Sequence, residues 1–127
     1  MDTEALVTHA HQLADLLDRE GILPGMMMWF RDSDTENWRL WIVPHKTVKD
    51  ERDFYRRLSN TISSNRHLLS SLHASDIDMI DEHHPAIGAI RGMAAMLFGG
   101  RRGKCSIKLS QNLFNGLFIP DGVLVLL

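Results

Sequence analysis

One cysteine, one tyrosine and four prolines in 127 residues exclude several architectures at once. The lone thiol, Cys105, has no intrachain partner for a disulfide, which points to a reducing, cytoplasmic setting. No apolar run approaches the about 20 residues that a membrane-spanning helix needs. The opening Met1-Asp2-Thr3-Glu4 lacks the basic start and apolar centre of a secretion signal. Neither sign of charge is in excess. Fourteen Lys/Arg against sixteen Asp/Glu leave a formal net charge of −2, so no global field draws the chain to nucleic acid or to an anionic membrane. Internal repeats and low-complexity linkers are missing too. What is present, 44% hydrophobic residues, suffices for a single domain over residues 1–127.

The charge that exists is unevenly spread. Residues 1–84 hold nine Lys/Arg and fifteen Asp/Glu, whereas residues 85–127 hold five and one. The C-terminal third opens on PAIGAIRGMAAMLF (Pro85–Phe98), whose only charge is Arg91. Proline at the start and Gly99-Gly100 at the end delimit a helix, with Asp81 or His84 near its N-cap. Because apolar or small residues surround it, this helix is expected to be buried on several sides, with Gly88 and Gly92 packed closely against a sheet. In KCSIKLS, Cys105, Ile107 and Leu109 alternate with Lys104, Ser106 and Lys108, the period of a half-buried strand with Cys105 on its apolar side. Asn115-Gly116 and Pro120-Asp121-Gly122 read as turns. VLVLL (Val123–Leu127) reads as a last strand, with Val123, Val125 and Leu127 on one face and Leu124 and Leu126 on the other. No register of it offers water a polar face, so it is expected to be covered, either in the centre of a sheet under the Pro85–Phe98 helix, the favoured place, or by a dimer partner or client protein pairing along its edge.

Upstream, Leu6, Ala10, Leu13 and Leu17 share one face of a helix running to about Glu20 and closed by Gly21. Gly25–Phe30 is a continuous apolar run, expected to be a strand covered on both faces, and Trp38–Val43 returns as its hairpin partner. Trp38 falls on one face with Leu40 and Ile42, and Trp41 on the other with Arg39 and Val43. Asp50 to Ser64 has Phe54, Leu58 and Ile62 at helical spacing, with Asp53 able to pair with Arg56 or Arg57. Residues 65–75 fit either a helical turn or a loop. Asp76–Ile80 fits a short strand with Ile77 and Met79 inward. The sum is α+β: one domain, with a mostly antiparallel or mixed sheet of about five or six strands and three helices.

Three groups of residues invite chemistry. The loop GGRRGK carries Arg101, Arg102 and Lys104, but it lacks the flanking residues of a phosphate-binding P-loop and leads into a strand, where such a loop must open a helix. It remains a cationic loop suited to anions or nucleic acid. Asp76, Asp78, His83 and His84 concentrate metal-ligand types without a second spaced ligand pair. His9 and His11, two apart on a helix, diverge by about 200° and cannot chelate one ion together; His9 is expected to pack and His11 to face solvent. No motif calls for a cofactor.

The stretch Ser106–Gly122, together with the strand WRLWIV, resembles a group of short bacterial proteins of unassigned function that share an Asn-Gly turn and an Ile-x-Asp at these places. The resemblance implies a bacterial α+β domain and no particular activity. The function expected from the residues is non-enzymatic: a protein-interaction or assembly domain of the immunity or antitoxin kind, working as a homo-oligomer or with a protein partner. The alternatives are a metal-dependent enzyme built on the acidic/His connector, and anion or nucleic-acid binding through the Gly/Arg loop.

Overall fold

The computed structural model describes residues 3–31, 34–45, 48, 50–100 and 102–127. Its elements are α1 (Thr3–Arg19), β1 (Met26–Arg31), β2 (Trp38–Val43), α2 (Glu51–Ser64), β3 (Ile77–Met79), α3 (Pro85–Phe98), β4 (Lys104–Phe114) and β5 (Leu117–Leu126). They form an α+β domain with one five-stranded mixed sheet in the order β3-β2-β1-β5-β4. All pairs are antiparallel except β2 with β3, which are joined through the α2 crossover and run parallel. Among the described residues no helix is long and apolar enough to cross a membrane.

Local chemistry explains each boundary. The Asp50 carboxylate accepts from the Arg52 amide and caps α2. His84 caps α3 with its ring Nδ1, which accepts from the Ala86 amide, and Pro85 follows at the first helical position. Gly99, at φ 72°, ends α3 in the left-handed conformation that glycine adopts without strain. Asn115 (φ 47°) and Gly116 (φ 93°) form the two-residue turn between Phe114 and Leu117, as a tight hairpin requires. Leu69 and Leu72 anchor the stretch after α2, which is a series of turns and no further helix, ending in a 3-10 turn at Ala74–Asp76.

The sheet is covered on both faces. On one, α1 and α2 bring Leu6, Leu13, Leu17, Phe54 and Leu58 against Met27, Trp29, Leu40, Ile42, Val123 and Val125. On the other, Ile87, Ile90 and Ala94 of α3 pack on Met28, Trp41, Val43 and Leu124. As expected, β1 is buried on both faces and the tryptophans of β2 part: Trp38 goes with the α1/α2 layer, Trp41 with α3. The terminal strand does lie inside the sheet, between β1 and β4.

Four expectations are corrected. Pro120-Asp121-Gly122 is no turn: it continues β5, where Asp121 pairs with Ser110 and Gly122 with Leu109. A side chain at Gly122 would come within 3.0 Å of both the Trp29 carbonyl and the Ile119 side chain, so glycine permits the close strand contact there. Second, the alternation of the last strand shifts. Register breaks on both sides of Val125, between Met27 and Met28 in one ladder and between Lys104 and Ile107 in the other, are bulges. They leave Val125 and Leu126 on the α1/α2 side and Leu124 and Leu127 on the α3 side. Third, His11 is half-buried and does not simply face solvent. Its Nε2 lies 3.0 Å from the Cys105 carbonyl and 2.9 Å from the Val125 carbonyl, within hydrogen-bond reach of both at the bulges. Fourth, α3 is buried on one face only. Nothing lies within 4 Å of where a side chain at Gly88 or Gly92 would begin, and both glycines are exposed with Ala95, Met96, Leu97 and Phe98.

Candidate functional site at the carboxyl end of α3

The outward face and C-terminal turn of α3 give water an apolar surface with no charge of its own. Met96, Leu97 and Phe98 are 87%, 66% and 45% exposed. Consecutive large apolar residues left open at a helix end are unusual on a small domain and mark contact surfaces. Beside them is a cavity of about 220 Å³ between α3, the loop after it and the end of the sheet, lined by Gly25, Arg91, Ala94, Ala95 and Arg102 among others. Arg91 fits because position 25 is glycine: a methyl group there would sit 3.3 Å from the guanidinium. Arg91 comes from the middle of α3 and Arg102 from the loop after it. Among the described residues neither has a carboxylate or hydrogen-bond partner. The cavity, which Leu127 also lines, therefore has two cations on its wall that are unpaired among the described residues.

The cationic loop is thus divided. Arg102 lines the cavity, Lys104 turns away to pair with Asp15 of α1 at 2.7 Å, and Arg101 lies outside the described residues. Arg91, set two turns back in α3, stands out in the sequence only as the lone charge of its helix and not as part of the cationic loop; only the fold brings it to Arg102. A helix-face argument could have found it, since Arg91 is the lone charge among apolar neighbours.

The acidic/His connector is dispersed. Asp78 receives two hydrogen bonds from Arg39, at 2.6 and 3.1 Å, and this pairing holds the Arg39 guanidinium above its ordinary pKa. Asp76, at the end of the 3-10 turn, lines a second cavity beside α1. His84 is committed to capping α3 and meets Trp41 edge to face, with ring centres 5.3 Å apart. His83 is exposed, 3.7 Å from Glu82. No group of three or more His, Cys, Asp or Glu side chains among the described residues is placed to hold one metal ion.

Cys105 points to the α3 side of β4 as its alternation requires, and its thiol donates to the Leu124 carbonyl at 3.4 Å. Burial pushes the thiol pKa up, so less thiolate is present at a given pH than for a free thiol. Reaction with a soluble aromatic disulfide at pH 8 should be at least about tenfold slower in the folded protein than after unfolding in urea. Equal rates would mean that the thiol is open to solvent. Compared with models of protein families, with curated proteins and with solved structures, the chain matches none.

Proposed function

We propose that the protein is a non-enzymatic interaction domain that docks a partner protein on the carboxyl end of α3, the partner supplying an acidic segment with apolar side chains. The observation that carries this reading is the juxtaposition of three exposed apolar residues, Met96 to Phe98, with a cavity walled by two unpaired guanidinium groups. Arginine beside apolar contact area is a combination enriched at protein interfaces, and fork-shaped guanidinium groups favour carboxylates. A symmetric pairing of this surface with itself would bring four guanidinium groups together, which disfavours it. The acidic balance of residues 1–84 makes a second copy, approaching by that region, one source of such a partner; an immunity- or antitoxin-like client is another.

The test places a photo-crosslinking residue at Leu97, and as control at exposed Leu23, in cells expressing the full chain. Crosslinks from position 97 to an acidic segment, lost in Arg91→Glu/Arg102→Glu and weakened by salt, are expected. Crosslinks unaffected by the charge reversal, or no more abundant than from position 23, would overturn the reading. Elemental analysis addresses the enzymatic alternative: stoichiometric metal that disappears when Asp76 and His83 are replaced by Ala would overturn the non-enzymatic assignment.

A further inference from the structure

A second cavity, on the opposite face of the sheet from α3, has the composition of a small-molecule site. It has a volume of about 290 Å³ and is lined by His9, Trp29, Asn37, Trp38, Ser71 and Asp76, with Leu72. Its apolar floor is Trp29, 2% exposed, whose indole N–H is already used by the Leu6 carbonyl at 2.9 Å. The half-buried Trp38, on the neighbouring strand, adds a second indole, whose N–H has no partner among the described residues. On the rim, Ser71 Oγ lies 3.2 Å from Nδ1 of His9, which ties the turns after α2 to α1.

The charge of this cavity is set by what happens just outside it. Two arginines lie just outside it: Arg66 donates to the carbonyl of the lining residue Leu72 at 3.3 Å, and the Arg39 guanidinium is occupied by both oxygens of Asp78 and by the Ser75 carbonyl at 2.7 Å. Asp76 acts on Arg39 only through space, and its carboxylate makes no hydrogen bond or ion pair among the described residues. Of these charged groups only Asp76 lines the cavity, so its carboxylate is the charge on the wall. Aromatic faces attract cations through their quadrupole, and a nearby carboxylate adds to the attraction. The volume is at the small end of the about 300–1,000 Å³ typical of ligand pockets, so the occupant is small.

We infer that this cavity binds a small organic ammonium ion with a flat apolar body, the body against Trp29 and Trp38 and the ammonium at Asp76. The site is separate from the α3 surface and does not depend on it.

The probe is 2-phenylethylammonium, added to the ¹⁵N-labelled full chain and followed by NMR. The three indole N–H signals provide the internal control, because Trp41 lies on the other side of the sheet. The expected result is saturable movement of the Trp29 and Trp38 signals with a Kd of roughly 0.1–1 mM, in keeping with so small a ligand, while Trp41 stays. Neutral 2-phenylethanol and the anion 3-phenylpropionate should bind at least about tenfold more weakly. Asp76→Asn should weaken the ammonium about tenfold, with Asp18→Asn, an exposed carboxylate on α1, as the variant that leaves it unchanged; thermal melts confirm that both fold. Equal binding of the neutral alcohol, equal movement of all three indoles, unchanged affinity in Asp76→Asn, or no saturation by 10 mM (about tenfold above the expected Kd) would each overturn the inference.

Discussion

Leu124→Lys combined with Val125→Lys should abolish cooperative folding. Both side chains are fully buried, and they face opposite cores: Leu124 lies beneath α3, Val125 beneath α1. Each substitution removes a buried aliphatic group, worth about 1.5–3 kcal/mol, and adds a charge with no partner, whose burial costs several kcal/mol more. The sum reaches or exceeds the about 5–15 kcal/mol by which domains of this kind are stable. The strand cannot slip to relieve it, because a one-residue shift exchanges one core for the other, and β5 is held on both sides by β1 and β4. Far-UV circular dichroism with thermal and urea melts reads the result. A double variant that melts cooperatively within a few degrees of the native protein would show that β5 is not an interior strand of the sheet.

Trp29→Ala is expected to destabilise the domain by about 3–5 kcal/mol, the range for deleting a large buried aromatic side chain. Trp29 pairs with Leu40 on one side and Val123 on the other, so its ring fills space where β1, β2 and β5 meet the amino end of α1. Part of the loss is specific. Removing the indole N–H leaves the Leu6 carbonyl without its 2.9 Å donor, and a polar group stranded in the interior costs about 1–3 kcal/mol. Trp29→Phe separates the two contributions, since it keeps most of the ring and loses the donor. A fall in melting temperature of roughly 10–20 °C for Ala and a clearly smaller one for Phe are expected. Identical melting temperatures for native protein and Trp29→Ala would mean that the ring carries no packing load.

What sequence made legible follows from which forces are local. Element types and order came through because period and punctuation are written within each segment: the heptad-like stripe of α1, the unbroken MMMWF of β1, and Pro85 and Gly99 around α3. The covered position of VLVLL was also legible, because no face of it tolerates water. The errors lie where two segments meet. Pro120-Asp121-Gly122 has the chemistry of a turn, but pairing with β4 and the close approach of Trp29 override it. The α3 helix reads as buried on several sides because composition cannot count the neighbours available; here there is one sheet beneath it and, among the described residues, nothing within 4 Å of a side chain begun at Gly88 or Gly92. For the same reason Arg101, Arg102 and Lys104 were legible as a cluster in the chain but not in their destinations, since Asp15, which takes Lys104, is far away in sequence. The cavity shared by His9, Trp38, Ser71 and Asp76 draws on four separate segments and has no sequence signature at all.

The placement of β5 also bears on how the nascent chain is made. β1 leaves the ribosome well before β5, with β2, α2, β3, α3 and β4 made between them, yet they are neighbours, with Trp29 opposite Val123 and Phe30 opposite Gly122. Until β5 emerges, β1 has an unpaired edge rich in methionine and aromatic residues, and α3 lacks Leu124 beneath it. Closing such long-range pairs late is slow compared with forming helices, and it leaves adhesive strand edges open meanwhile. Chains truncated before β5 are therefore expected to need a chaperone most, because only β5 covers that edge of β1.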